Sequence, residues 1–202
     1  MRAKRLAAIG LAFVLYTCTL AGFVPGPARA TLQLVPRSTA LGVNQTTVVD
    51  LAITEVSGLY GVQVHLRFDP QVIEIVDADP TRDGVQLESG TFPSPDFVAL
   101  NQVDNHAGTI DYAVTQLSPR EPREGSGIAA HITVRAKRPS TTQIEIEKFI
   151  LTDTAAGVID AVGENGQIEV RQSVPWLLYA AGGGLLLLLA GGVGFAMVTA
   201  RK

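Results

Sequence analysis

Hydrophobic and polar residues alternate with a period of two through most of the middle of this chain. Val62, Val64, Leu66 and Phe68 are separated by Gln63, His65 and Arg67. Ile110, Tyr112 and Val114 alternate with Asp111, Ala113 and Thr115, and Ile128, Ala130, Ile132 and Val134 with Ala129, His131, Thr133 and Arg135. Ile144 and Ile146 alternate with Glu145 and Glu147. Successive side chains of an extended strand point to opposite faces, so this pattern predicts strands with one buried and one wet face. Further strands are predicted over 31–35, 46–54, 72–76, 97–103 and 167–170. Turn-forming residues punctuate them: Asp69-Pro70, Pro93-Ser94-Pro95, Asn105 to Gly108, Pro119 to Gly127 and Glu164-Asn165-Gly166. No stretch between residues 31 and 172 carries the 3.6-residue period of a long amphipathic helix. About nine short strands over some 140 residues predict an all-β fold, an antiparallel β-sandwich.

The two ends follow different rules. Arg2, Lys4 and Arg5 precede an apolar run from Leu6 to Leu20, and Ala28-Arg29-Ala30 supplies a small-x-small cleavage pattern. Residues 1–30 therefore read as a signal peptide, with the mature chain starting at Thr31. Cys18, the only cysteine, falls within it, so no disulfide is expected in the mature domain. Near the other end, the 24 residues from Leu177 to Ala200 carry no charge. As a helix they would extend roughly 36 Å, enough to cross a hydrocarbon core of about 30 Å. Trp176 and Tyr179 suit the outer headgroup region, and Arg201-Lys202 fits the positive-inside rule. The expectation is a transmembrane helix over 175–200, a cytoplasmic tail at 201–202, and an ectodomain over 31–172 outside the cell membrane.

All 19 acidic residues lie between Asp50 and Glu169, and residues 31–172 hold only ten Lys and Arg, a net charge of −9. Such a domain is unsuited to nucleic acid or to an anionic membrane surface. Enzyme chemistry is not indicated: there is no G-x-S-x-G elbow, no cysteine after cleavage and no phosphate-binding glycine loop. Glu145 and Glu147 stand about 7 Å apart along one predicted strand face, but a small sandwich gives such a pair no cleft. His65, His106 and His131 are dispersed, with nothing to make them converge on a metal. Asp77, Asp79, Thr81, Asp83 and Glu88 follow a loose calcium-loop spacing, yet Arg82 occupies the place of the essential glycine and Pro80 restricts the loop. They read as an ordinary acidic loop, and no metal or cofactor is expected.

The order of several motifs resembles one family. Val48 to Ile53 is followed by Gly58-Leu59-Tyr60-Gly61-Val62-Gln63-Val64, then by Leu66-Arg67-Phe68-Asp69-Pro70 and Val72-Ile73-Glu74-Ile75-Val76. Gly125 to Val134, Phe149 to Asp153 and Asn165 to Val170 complete the series. This is similar to a cohesin domain, in which an aromatic-Asp-Pro turn leads into a strand. Within the motif, Phe68 is suited to plug the core, Pro70 to end its strand, and Asp69 to accept hydrogen bonds from turn amides.

The resemblance implies a nine-stranded jelly-roll sandwich related to carbohydrate-binding modules. It also implies a partner, a dockerin-like protein module that folds around calcium and is often part of a polysaccharide-degrading enzyme. In the family, the third, fifth, sixth and eighth strands form the docking face. Here that places Gln63, His65, Arg67, Asp111, Thr115, Glu145 and Glu147 on it. Many dockerin-binding members place Asn and Asp at the positions of Gly61 and Gln63, which this chain does not. The fold relationship supplies the alternative of a surface module that binds polysaccharide directly. Such modules stack sugars on exposed aromatic rings, and the loop from Phe92 to Phe97 is the candidate contact.

Overall fold

The computed structural model describes residues 29–82 and 86–172. The signal peptide read over 1–30, apart from Arg29 and Ala30, and the membrane span read over 175–200 lie outside the described residues. Among the described residues no helix is long and apolar enough to cross a membrane.

Thirteen strands form among the described residues: β1 (Ala30–Val35), β2 (Ser38–Gly42), β3 (Thr46–Leu59), β4 (Gly61–Arg67), β5 (Ile73–Ile75), β6 (Glu88–Ser89), β7 (Phe97–Asp104), β8 (Thr109–Thr115), β9 (Arg123–Ala136), β10 (Ser140–Thr152), β11 (Val158–Ile159), β12 (Ala161–Glu164) and β13 (Gly166–Arg171). They make two sheets. One runs β12-β1-β3-β9-β5, with β6 also on β9; the other runs β2-β13-β10-β4-β8-β7, with β11 on β10. The pairs β1–β12 and β13–β2 are parallel, and the rest are antiparallel.

The expected all-β sandwich is present, but the count of nine strands is corrected. The additional strands β2, β6, β11 and β12 are two to five residues long, too short for an alternating pattern to mark them. The long strands β3, β9 and β10 also pass through bulges at which the inward parity changes, so each extends beyond its regular run. Between the sheets, Leu32, Leu51, Leu66, Tyr112, Ile132 and Ile144 are among the side chains fully withdrawn from water. Each large aliphatic residue moved there contributes about 1.5–3 kcal/mol.

Two local devices fix the strands that matter for the site. Phe68 closes the core at the end of β4, with only 4% of its surface exposed. The Asp69 carboxylate accepts the Gln71 amide at 2.8 Å, and the Asp69 carbonyl accepts the amides of Val72 and Ile73 at 3.1 Å. The turn joining β7 to β8 packs onto this corner: Phe68 N–H donates to the Gly108 carbonyl at 2.8 Å. Gly108 has φ of 74°, and a Cβ there would lie 2.2 Å from the Phe68 carbonyl oxygen. Only glycine satisfies both the backbone conformation and the approach.

Two carboxamides hold the irregular segment after β5. Asn105 pairs with both backbone groups of Ile75, and Asn101 with both backbone groups of Leu87, each bond at 2.9 Å. Each amide thus stands in for one rung of a sheet ladder. Beneath them the Tyr112 hydroxyl donates to the Ala129 carbonyl at 3.2 Å or pairs with Ser89 Oγ at 2.9 Å, and burial pushes its phenol pKa upward.

Candidate functional site

The strands predicted as third, fifth, sixth and eighth become β4, β7, β8 and β10, and they lie side by side in the order β10-β4-β8-β7. The register sets their outward residues in rows. Thr152, Gly61, Thr115 and Phe97 form the first row; Ile150, Gln63, Ala113 and Leu100 the second; Lys148, His65, Asp111 and Gln102 the third. Glu145, Arg67, Thr109 and Asp104 make the fourth. Every residue placed on the face from sequence, Gln63, His65, Arg67, Asp111, Thr115, Glu145 and Glu147, is found on or beside these rows.

The face has two unlike halves. The first two rows are mostly apolar, with Thr152, Thr115 and Gln63 as their polar members. Phe97 is 54% exposed on one flank and Ile150 44% exposed on the other, with Gly61 and Ala113 as a low floor between them. This shallow depression has a volume of about 200 Å³ and is also bordered by Gln63 and Thr152. A second depression of about 320 Å³ adjoins it, lined by Gln63, His65, Asp111, Lys148, Phe149 and Ile150. Gln63 and Ile150 border both.

The second half is charged. His65 Nδ1 lies 2.7 Å from Asp111 Oδ1, and His65 Nε2 lies 3.4 Å from Glu147 Oε2. Arg67 Nε donates to Glu147 Oε1 at 2.6 Å. Four carboxylates (Asp104, Asp111, Glu145 and Glu147) face two cations (Arg67 and Lys148), a net charge of −2 with His65 neutral. Asp104 stays ionised at the edge because the amides of Ala107 and His106 hold its carboxyl below the usual carboxylate range. At the apolar end, a bond from Arg120 and the Leu117 amide do the same for Asp96, next to Phe97.

Sequence reasoning missed Lys148 and Ile150. Strict alternation from Glu145 and Glu147 would carry Phe149 and Leu151 outward. A bulge between Ile146 and Lys148 inverts the parity instead: Leu151 is fully buried, Phe149 packs on the core, and Lys148 and Ile150 turn to the face. The available signal was the apolar run Phe149-Ile150-Leu151, which no single parity accommodates.

Phe92 is corrected. It was read as an exposed partner of Phe97 in a sugar-contact loop, but it is 8% exposed and belongs to the core. Its ring stacks onto the backbone of β9, where a Cβ on Gly127 would come within 2.4 Å of it. The prolines at 93 and 95 suggested a projecting loop; the aromatic ring is instead the plug that holds that loop down. Phe97 remains exposed, without Phe92 as a second ring for a stacking platform.

The other candidates disperse. His131 pairs with Asp50 at 2.6 Å on the outer face of the opposite sheet, and the His106 amide takes part in the β7–β8 turn. In the acidic loop, Asp77 accepts the Asp79 amide, and Asp79 accepts the amide and hydroxyl of Thr81. Asp83 lies outside the described residues, and Glu88 sits in β6 opposite His131. Among the described residues no group of three or more potential metal ligands converges.

A Cohesin domain family model matches residues 33–170. Solved structures share the fold at low identity. A type II cohesin domain from the cellulosome of Acetivibrio cellulolyticus superposes with a TM-score of 0.61 at 17% identity, covering 70% of this chain and 95% of its own. The chain is also similar to a structure of a type I cohesin–dockerin complex from Clostridium thermocellum, with a TM-score of 0.59, 15% identity, and coverage of 72% of this chain and 95% of that one. A non-cellulosomal cohesin from the hyperthermophilic archaeon Archaeoglobus fulgidus gives a TM-score of 0.57 at 13% identity, covering 72% of this chain and 93% of that one. A search of curated protein sequences finds no relative.

Proposed function

Because this chain belongs to the cohesin domain family, we propose that it is a non-catalytic adaptor that docks a dockerin-type module on the outer face of β7, β8, β4 and β10 and holds the protein carrying it at a cell membrane. The observation that carries this reading is the adjacency of those four strands. Together they present one continuous face with an apolar depression, a polar one beside it, and an exposed aromatic flank. An apolar centre beside charged groups is the ordinary composition of a specific protein interface. Several of the similar structures are complexes between a cohesin and a dockerin.

The fold also orients the face. The last strand, β13, ends at Arg171, and its Val170 pairs with Ser140 at the start of β10. Thr152, at the other end of β10, pairs with Gly61. The apolar half therefore stands about 35–40 Å along β10 from the end of β13. With the chain anchored through the uncharged stretch 177–200, a partner seated on that half is held away from the bilayer. A dockerin on a polysaccharide-degrading enzyme would be tethered at the cell surface in this way.

The docking reading is tested by titrating the full chain, in mild detergent, with calcium-loaded dockerin modules encoded in its own genome. The Gln63→Ala/His65→Ala/Arg67→Ala variant should lose about tenfold or more in affinity while keeping its melting temperature. Unchanged affinity would exclude this face. The anchor is tested separately: the chain should stay with the membrane pellet through alkaline carbonate extraction, and release into the supernatant would reject it.

A further inference from the structure

We infer that Asn44 is a site of N-linked glycosylation, where the side-chain amide takes up an oligosaccharide as the domain is exported. The inference stands apart from the docking reading and needs only the export read from the N-terminus.

The chain has four asparagines. Three of them hold the backbone together: Asn101 bonds both backbone groups of Leu87, Asn105 both of Ile75, and Asn165 Oδ1 accepts the Ile146 amide at 2.9 Å. None of the three has Ser or Thr two residues on, since their triplets are Asn101-Gln102-Val103, Asn105-His106-Ala107 and Asn165-Gly166-Gln167. Asn44-Gln45-Thr46 is the one triplet that does. Asn-x-Ser/Thr with x other than proline is the acceptor pattern for N-linked glycans, and it requires an exposed loop in an exported protein.

The turn between β2 and β3 meets that requirement. Its backbone is fixed: the Asn44 amide donates to the Ala136 carbonyl at 2.8 Å, and the Gln45 amide to the Gly42 carbonyl at 3.0 Å. The middle side chain folds back, with Gln45 Oε1 accepting the Gly42 amide at 2.8 Å. The two side chains that the chemistry uses, those of Asn44 and Thr46, are exposed, and neither hydrogen-bonds to another described residue. Asn44 has φ of 66°, a conformation asparagine tolerates, so the turn accounts for the residue at 44. It does not account for a hydroxyl at 46. The step is a glycosyl transfer from an oligosaccharide carried on a polyprenyl phosphate. The Asn44 amide nitrogen attacks the anomeric carbon, an N–C bond forms, and the C–O bond to the phosphate breaks. The amide loses one proton, and the polyprenyl phosphate leaves with the electron pair. The Val43 amide donates to the Arg171 carbonyl at 3.2 Å, so the glycan would stand beside the end of β13. The apolar half of the proposed docking face lies about 35–40 Å away along β10.

The test is mass spectrometry of the full chain purified from the membranes of the cells that encode it. Trypsin releases the peptide Ser38–Arg67, in which Asn44 is the only asparagine. That peptide is expected to carry the mass of at least one sugar, and fragmentation to place it on Asn44. The added mass should vanish in Asn44→Asp, which the left-handed turn tolerates. It should vanish equally in Thr46→Val, which keeps the branched shape and removes only the hydroxyl, and persist in Thr46→Ser. Loss in Thr46→Val with Asn44 still present separates glycosyl transfer from any other reaction of the amide. A native peptide at its unmodified mass would overturn the inference, as would an added mass that survives Asn44→Asp or Thr46→Val. Neither result bears on the docking face.

Discussion

Gly61 sits at the apolar end of the proposed docking face, at the start of β4, and replacing it tests how tightly that face is built. A Cβ at this position would lie 2.7 Å from Thr152 Oγ1 and 3.3 Å from Thr115 Oγ1. Both neighbours are β-branched and stiff at χ1, and Thr115 Oγ1 is already directed at the carbonyls of Tyr60 and Gln116, so neither moves aside without cost. Overpacking of this kind costs about 1–3 kcal/mol. Removing a glycine from a strand returns about 0.5–1 kcal/mol. Gly61→Ala should therefore destabilise the domain by about 0.5–2 kcal/mol. At about 4 °C per kcal/mol for a domain of this size, the thermal midpoint falls by about 2–8 °C. Differential scanning calorimetry reads it. Adding Thr152→Ala removes the nearest obstacle, so against a Thr152→Ala background the same substitution should be neutral or stabilising. A Gly61→Ala midpoint at or above wild type would refute the reasoning. Gly61→Asn meets the same obstacle and also fills the apolar depression, so it should weaken partner binding as well.

Three further outcomes follow from the geometry. Phe92→Ala, a core truncation, should cost about 3–5 kcal/mol by chemical denaturation and leave partner affinity unchanged; a loss of affinity without a loss of stability would return Phe92 to the surface. Asn101→Ala leaves the buried Leu87 amide and carbonyl unpaired, a loss of about 2–4 kcal/mol, and hydrogen exchange should quicken first in residues 76–82 and 86–92. Asp96 has its carboxyl lowered by Arg120 and the Leu117 amide, so its contribution is complete above the unfolded pKa near 4 and is lost as pH falls through the lower folded value. The midpoint difference between wild type and Arg120→Ala should be constant above about pH 5 and shrink below about pH 4; a difference that grows on acidification would contradict this.

The regular strands were legible because one rule governs them. In β4 and β8 every second residue is apolar, and those residues, Val62, Val64, Leu66, Ile110, Tyr112 and Val114, are buried; of the outward residues only the small Gly61 and Ala113 are covered as well. The Phe68-Asp69-Pro70 corner was legible for the same reason, since ring burial, the carboxylate acceptor and the strand end are all local properties. What escaped depends on residues far apart in sequence. The bulge in β10 exists because Ile144 and Leu151 must both reach the core, and it brings Lys148 and Ile150 onto the face that alternation gave to Phe149. Phe92 looked exposed between prolines because its pocket is the bare backbone at Gly127, on a strand 35 residues later. The short strands β2 and β12 owe their existence to β13 and β1, their pairing partners, and carry no pattern of their own.

The central claim, that the β10-β4-β8-β7 face takes the partner, is tested most directly by site-specific photo-crosslinking in the full chain. A benzophenone amino acid is placed at Gln63, at the boundary of the two depressions, and in a second protein at Val48, which is 48% exposed on the other sheet. With a calcium-loaded dockerin module from the same genome, the account predicts a crosslinked adduct from position 63 and none from position 48. An adduct from position 48 alone would contradict it.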